Sequence, residues 1–131
     1  MDEFTRAYIE AALWSSNDES DESGGEPMDR NYDQSDIDAD TLAEMVTDCE
    51  RFQRENIEHI AWDNLAHFPH RYSTHERAGH DFWLTRNGHG AGFWDGDWNE
   101  PAASELTKAS ESFGGYDLYI GDDGLIYGSK G

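Results

Sequence analysis

The chain has few basic residues, and this shortage is its most informative property. Lysine and arginine together number 9 against 29 aspartates and glutamates, which leaves a formal net charge of -20 on 131 residues. Such a charge repels nucleic acids and anionic membrane surfaces at long range, and it attracts strongly basic surfaces. The composition therefore argues against direct binding to nucleic acid or membrane and favours a basic protein as the partner.

Cysteine and long apolar runs are also scarce. Cys49 is the single cysteine, which excludes an intrachain disulfide, so nothing indicates an oxidising compartment. No stretch approaches the roughly 20 apolar residues of a membrane span, and no basic segment followed by an apolar run indicates a signal peptide. We therefore expect a soluble cytoplasmic protein.

The charge is unevenly distributed along the chain. Residues 1–50 contain 16 acidic and 2 basic residues, a net charge of 2 - 16 = -14, whereas residues 51–131 contain 13 and 7, a net charge of 7 - 13 = -6. Aromatic residues make up 13%, which is more than a disordered acidic chain contains. We expect a single domain over 1–131, with an acidic, flexible loop at 15–40 and the core at 41–131.

Apolar spacing predicts three helices. The first covers 3–14, where Phe4 and Tyr8 share a face. The second begins at a capping box, Thr41–Glu44, and extends to about His67. The third enters at Glu100-Pro101 and ends before Gly114-Gly115, because glycine accepts the left-handed conformation that follows many helix ends.

Two β-hairpins are predicted in the second half of the chain. Residues 81–94 surround Asn87-Gly88, a preferred centre for a tight hairpin turn. Residues 116–128 are predicted to turn at Asp122-Asp123-Gly124. These elements indicate an α+β fold, in which a small antiparallel sheet of two hairpins packs with a long helix and a shorter helix. The N-terminal helix and the acidic loop complete it.

The acidic loop is the first candidate site. It is either a self-repelling, solubilising segment or a surface that imitates a polyanion such as DNA and binds a basic protein groove. The candidate partner-binding carboxylates are Asp18, Glu19, Asp21, Glu22, Glu26, Asp29, Asp33, Asp36, Asp38 and Asp40.

Three tryptophans are candidate anchors for a protein partner. Trp83, Trp94 and Trp98 lie in the aromatic-rich region where the strands are predicted, and alternate strand positions face opposite ways. Some of these rings therefore belong to the outer face, where exposed aromatics bind proteins. An ordinary aromatic core is the alternative.

The histidines and one aspartate-rich turn are candidates for metal chemistry. His67, His70, His75, His80 and His89 fall in one stretch, with His59 upstream, but their spacing matches no standard zinc site. The turn Asp95–Asn99 begins like a calcium loop and lacks the glycine and glutamate that complete one. We predict no metal and no cofactor.

No sequence motif indicates catalysis. There is no nucleophile elbow and no phosphate-binding glycine loop, so we predict a protein that is not an enzyme. The alternative is a small metal-dependent enzyme or a zinc-stabilised module that uses the histidines of 67–89.

Three sequence blocks carry a resemblance to a known family. FTRAYIEAALWSS (4–16), LAEMVTDCERFQREN (42–56) and AGHDFWLTRNGHGAGFWD (78–95) resemble small acidic uncharacterised proteins encoded by tailed bacteriophages. The resemblance implies a setting in the host cytoplasm during infection and transfers no site residue. Small acidic phage proteins include DNA mimics that block host restriction or CRISPR systems. We therefore predict a non-enzymatic phage protein that binds a basic host or phage protein, with a nucleic-acid-binding host protein as the expected partner.

Overall fold

The computed structural model describes residues 1–19, 25–66 and 72–130. In order, its helices and strands are α1 Glu3–Ser15, β1 Asn17–Asp18, β2 Glu26–Pro27, α2 Ala39–Glu55, α3 Thr74–Arg86, α4 Ala102–Ser112, β3 Tyr116–Ile120 and β4 Ile126–Lys130. Short 3-10 turns cover Met28–Arg30, Gln34–Asp36 and Trp62–Asn64. The predicted α+β class is confirmed.

Helix α1 forms as predicted and packs closely on α3. Its Phe4 and Tyr8 rings are fully buried, and Asp2 caps its first turn by accepting a hydrogen bond from the Thr5 amide at 2.8 Å. The close approach depends on Gly79 of α3, because a Cβ atom there would lie 2.0 Å from the carbonyl oxygen of Phe4. A residue without a side chain is therefore required where the two helices cross.

Helix α3 replaces the hairpin predicted over 81–94, and that prediction is wrong. The helix begins at Ser73, whose hydroxyl accepts a hydrogen bond from the Glu76 amide while the Glu76 carboxylate reaches back to the Ser73 amide. It ends at Asn87, and Gly88 follows with a φ of 69°. The Asn-Gly pair therefore terminates a helix, because the left-handed conformation that suits a hairpin turn also suits the residue after a helix.

Helix α2 differs from its prediction at both ends. Its N-terminal cap is Asp38, which accepts from the Thr41 amide at 3.2 Å. The Thr41 hydroxyl accepts instead from the amide of Gly128 in β4, at 3.2 Å. The helix ends at Glu55 rather than near His67, since the side chain of Asn56 donates to the carbonyl of Phe52 at 2.9 Å.

The strands form two separate two-stranded antiparallel sheets, so the predicted single sheet of two hairpins is wrong. β3 and β4 form the predicted hairpin, with Tyr119 opposite Tyr127 and Gly124 at a φ of 82° in the turn. β1 and β2 pair within the segment predicted as a loop. Beyond them, Ile37 forms a parallel bridge to Ile126 of β4.

Helix α4 ends as predicted, with Gly114 at a φ of 73°. The buried apolar side chains form one cluster that includes α1, Met28 and Ile37 as well as residues beyond 41. Packing is therefore not confined to 41–131, and the division into domains stays a prediction. Among the described residues, no helix combines the length and the apolar character needed to span a bilayer.

Candidate functional site

The acidic segment packs on the body of the protein through residues that follow the undescribed residues 20–24. Met28 is fully buried and its amide donates to the carbonyl of Ser16 at 2.8 Å. Ile37 is also buried, and the amide of Asp38 donates to the carbonyl of Ile126 at 2.9 Å. These contacts give the described carboxylates of the segment defined positions.

Three of the predicted carboxylates also cap local structure. Asp33 accepts from the Ser35 amide at 2.8 Å, and Asp36 accepts from the Asp33 amide at 2.9 Å. Asp38 caps α2. Hydrogen bonds from the hydroxyl and the amide of Ser35 lower the pKa of Asp33, because they stabilise the charged carboxylate. These three side chains therefore carry charge and hold the backbone together.

The remaining predicted carboxylates divide by position. Glu26 lies 3.9 Å from Arg30, a separation at which an exposed ion pair contributes little. Asp18 is half-buried in β1, whereas Glu19, Glu26, Asp29 and Asp40 are exposed. Asp21 and Glu22 lie outside the described residues. The exposed side chains are the ones available to a partner.

The tryptophan anchors predicted from the strand pattern are largely wrong. Trp83 is 2% exposed and donates from Nε1 to the Ser15 hydroxyl at 2.7 Å. Trp98 is 4% exposed and donates to the carboxylate of Asp81 at 2.8 Å. Both rings are buried because the helical conformation of 74–86 turns Trp83 toward α1 and places Asp81 under Trp98. Trp94 is 54% exposed and is the one of the three that can meet a partner.

An open groove of about 300 Å³ lies between α1 and α3 and includes aromatic residues absent from the sequence prediction. Ala7 and Ala11 form its apolar part. It is also lined by Trp14, which is 56% exposed, and by Tyr72, which is 52% exposed. The ring centroids of His80 and Trp14 lie 6.2 Å apart, with an interplanar angle of 36°. Trp14 on the outward face of α1 could have been noticed in the sequence. Only tertiary packing brings Tyr72 and His80 next to it.

The charged residues of the groove are mainly acidic. Glu10 is exposed and has no hydrogen-bond or ion-pair partner among the described residues. Glu76 accepts from the Ser73 amide at 3.5 Å. Arg77 also lines the groove, but its guanidinium lies 3.5 Å from the carboxylate of Asp97. Among the described residues of the lining, the two glutamates therefore give a negative charge that the paired Arg77 does not offset.

The histidines are not gathered into a metal site in the part of the chain that the structure describes. His59 lies 3.7 Å from Glu58 and His80 lies 3.4 Å from Asp81, whereas His75 and His89 are exposed. His67 and His70 lie outside the described residues.

The aspartate-rich turn carries two carboxyl groups, Asp95 and Asp97, and the carboxyl group of Asp81 in α3 also acts on Asp95. Burial raises the pKa of Asp95, and the negative charges of Asp97 and Asp81 raise it further. A bound cation would have the opposite effect on a carboxyl pKa. Within the described residues, this turn forms no group of metal ligands.

The β3–β4 hairpin presents a tyrosine pair beside an aspartate. Tyr119 is half-exposed and its ring stacks on Tyr127 at 5.9 Å. The Tyr127 hydroxyl donates to the carboxylate of Asp123. That hydrogen bond raises the pKa of Tyr127 to about 12 and lowers the pKa of Asp123, because it favours the neutral phenol and the charged carboxylate together.

Arg86 is the buried cation of the core. Its guanidinium donates to the carboxylate of Asp48 at 2.9 Å and to the hydroxyl of Tyr8 at 3.0 Å. It also donates to the carbonyls of Gly114 at 2.8 Å and Phe113 at 3.2 Å. Burial raises the pKa of the Tyr8 phenol above its usual range, although the Arg86 charge acts against the rise. This network joins α1, α2, α3 and the end of α4 and is structural.

Comparison of the chain with protein-family models, curated proteins and solved structures gave no match. The resemblance to small acidic phage proteins therefore stays a prediction, and no residue role is transferred from another protein. The function must be argued from the acidic segment and the groove themselves.

Proposed function

We propose that the chain is a non-enzymatic interaction protein that binds a basic protein through its carboxylates, in the manner of a DNA mimic. One observation carries the proposal. Within the described residues, five basic side chains already pair with carboxylates of this chain, and they are Arg30, Arg51, Arg77, Arg86 and Lys108. Because 29 acidic residues stand against 9 basic ones, most of the negative charge has no internal counterpart, and a cationic partner can supply it.

The ordered positions of the carboxylates support the same function. Asp33, Asp36 and Asp38 are oriented by capping hydrogen bonds, and Met28 and Ile37 hold the segment that carries them. A surface that is already ordered loses less conformational entropy when it binds than a free acidic tail does. Its association with a basic groove is steered by charge and weakens as salt rises.

Asp81, the carboxylate beside His80, has a structural role, which supports the non-enzymatic part of the proposal. Asp81 is 3% exposed, and its carboxylate accepts from the indole of Trp98. The Nδ1 atom of His80 lies 3.4 Å from a carboxylate oxygen of Asp81. A general base must reach the proton that it removes, and a carboxylate sealed under an indole does not.

The cellular setting follows from the resemblance and the charge. We place the protein in the cytoplasm of an infected bacterium, where its partner is a nucleic-acid-handling host protein, such as a component of a defence system. The groove that binds DNA in such a protein is basic, and carboxylates can occupy it in place of phosphates.

The test uses neutralised variants of matched charge. The binding variant is Glu19→Gln, Asp29→Asn and Asp40→Asn, three exposed side chains whose carboxylates cap no helix or turn. The control variant neutralises three exposed carboxylates outside the acidic segment, namely Glu58→Gln, Asp63→Asn and Glu111→Gln. Both triple variants change the net charge by the same amount.

Immobilised wild-type protein is exposed to a host lysate at low salt, and each captured protein is purified and retested alone. We expect a basic partner that binds this protein with an affinity that falls steeply as salt rises. We also expect this protein to displace duplex DNA that is bound to the partner. The binding variant should weaken the complex more than the control variant. Equal loss in both variants, or a partner that binds DNA and this protein at the same time, would contradict the proposal.

A further inference from the structure

We propose that the groove between α1 and α3 is a receptor for a single arginine side chain of the basic partner. This deepens the proposed function, on which it rests, by naming the side chain that the partner inserts. The site comprises Trp14 and Tyr72 as aromatic surfaces and Glu10 and Glu76 as counter-charges.

The aromatic surfaces suit a guanidinium. Trp14 and Tyr72 each leave more than half of their surface exposed beside the same cavity. Two exposed aromatic rings beside one groove form a shared apolar surface of the kind that marks binding sites. A planar guanidinium stacks on the faces of such rings, and tryptophan is the ring that attracts cations most strongly.

The charges select a cation over a neutral or anionic ligand. Glu10 has no partner within the described residues, and Glu76 is held only by the long hydrogen bond from the Ser73 amide. In the described part of the lining, Arg77 is the only arginine, and it is paired with Asp97. An incoming guanidinium can therefore pair with a glutamate without displacing an existing ion pair, and a phosphate would be repelled.

The size of the groove indicates one side chain rather than a folded element. A volume of about 300 Å³ is at the lower end for ligand sites and holds a guanidinium with its aliphatic stem. The small side chains of Ala7 and Ala11 leave room for that stem against α1. Arginine satisfies the rings, the carboxylates and the apolar strip together.

The experiment is a titration of the isotopically labelled full chain with N-acetyl-L-argininamide at constant ionic strength. The readouts are the indole N–H of Trp14 and the ring protons of His80, which lies 6.2 Å from that indole. The neutral isostere N-acetyl-citrullinamide and the compact cation N-acetyl-lysinamide are the comparison ligands. Trp94, which is 54% exposed and does not line the groove, is the internal control.

We expect argininamide to shift the Trp14 and His80 signals saturably and to leave Trp94 unchanged. Glu10→Gln should weaken binding about two- to fivefold, as expected for the loss of one exposed ion pair. Trp14→Ala, in which binding is measured from the His80 signals, should weaken it by a similar factor through the loss of one exposed cation–π contact. Trp94→Ala should not change it. The substituted residues Glu10, Trp14 and Trp94 are all exposed, so these variants keep the fold.

Three results would overturn the proposal: equal shifts with citrullinamide, equal affinity for lysinamide, or unchanged affinity in both groove variants. The titration contains no partner protein, so its failure is distinguishable from failure of the charge-based function. A groove that binds argininamide in a protein with no basic partner would refute the proposed function alone.

Discussion

Replacing Arg86 by methionine should produce the largest loss of stability of any single change considered for this protein. The side chain of Arg86 is fully buried, and that of Asp48, its partner, is 9% exposed. Methionine fills much of the volume of the arginine stem but donates no hydrogen bond. The change therefore leaves a buried carboxylate without its cation.

The size of the loss follows from the groups that lose their donor. Asp48 loses its ion pair at 2.9 Å, and the carbonyls of Gly114 and Phe113 lose charged donors. Removing one partner of a buried ion pair typically costs about 3–5 kcal/mol. A domain of this size is stable by about 5–15 kcal/mol, so the variant should be strongly weakened or unfolded.

Urea unfolding followed by circular dichroism measures the effect. With a slope of about 2 kcal/mol per molar urea, the midpoint should fall by roughly 1.5–2.5 M. Arg86→Lys should be intermediate, because an ammonium can reach Asp48 but cannot also bond both carbonyls. Arg54→Met, on the exposed face of α2, is the matched control and should change stability by less than about 0.5 kcal/mol.

A double variant separates the ion pair from the rest of the network. Asp48→Asn with Arg86→Met should cost less than the sum of the two single changes, since no uncompensated charge then remains. The reasoning would be refuted by a loss below about 1 kcal/mol in Arg86→Met, or by simple additivity in the double variant.

Three further changes test other contacts. Gly79→Ala should destabilise by about 1–3 kcal/mol in urea unfolding, because the new Cβ would lie 2.0 Å from the backbone oxygen of Phe4 and must push α1 away. Asp38→Ala should cost about 1 kcal/mol in the same assay through loss of the α2 cap. Tyr127, with a pKa raised from 10.0 to about 12, contributes stability that is present below pH 10 and is lost as the pH rises toward 12. Asp123→Asn should return that pKa toward 10.0, which tyrosinate absorbance at 295 nm would show as ionisation at lower pH.

Elements with a strong local signal could be predicted from the sequence. The apolar spacing of Phe4 and Tyr8 located α1, and Gly114 located the end of α4, because each depends on contacts within a few residues. The turn at Asp123-Gly124 likewise located the β3–β4 hairpin. Local chemistry was sufficient in these places.

Helix α3 shows why local signals can mislead. Asn87-Gly88 suits either a hairpin turn or a helix end. Here it ends a helix, because the preceding residues pack as a helix on α1. Gly79, a poor helix former, is needed there because the backbone of Phe4 lies against it. The Ser73–Glu76 capping box was present in the sequence and would have favoured the helix.

The candidate sites also combine features that the sequence predicts with features that depend on the tertiary structure. Net charge and the list of acidic side chains are properties of composition, so the sequence alone indicated a cationic partner. Where the acidic segment lies and which tryptophans are buried depended on long-range contacts, such as the hydrogen bond from the Asp38 amide to Ile126 in β4 and that from the Trp83 indole to Ser15. The groove could not be predicted, because its residues come from two segments, 7–14 and 72–80, that are more than fifty positions apart in the chain.

The amino-acid order by itself determined the charge of this protein, the positions of α1 and α4 and the turn of the β3–β4 hairpin, since each arises from neighbours along the chain. Only the tertiary structure decided where Arg86 is buried, which acids remain exposed and how Trp14 meets His80. The physical reason is that burial and charge pairing depend on distances in space, and helix packing sets those distances.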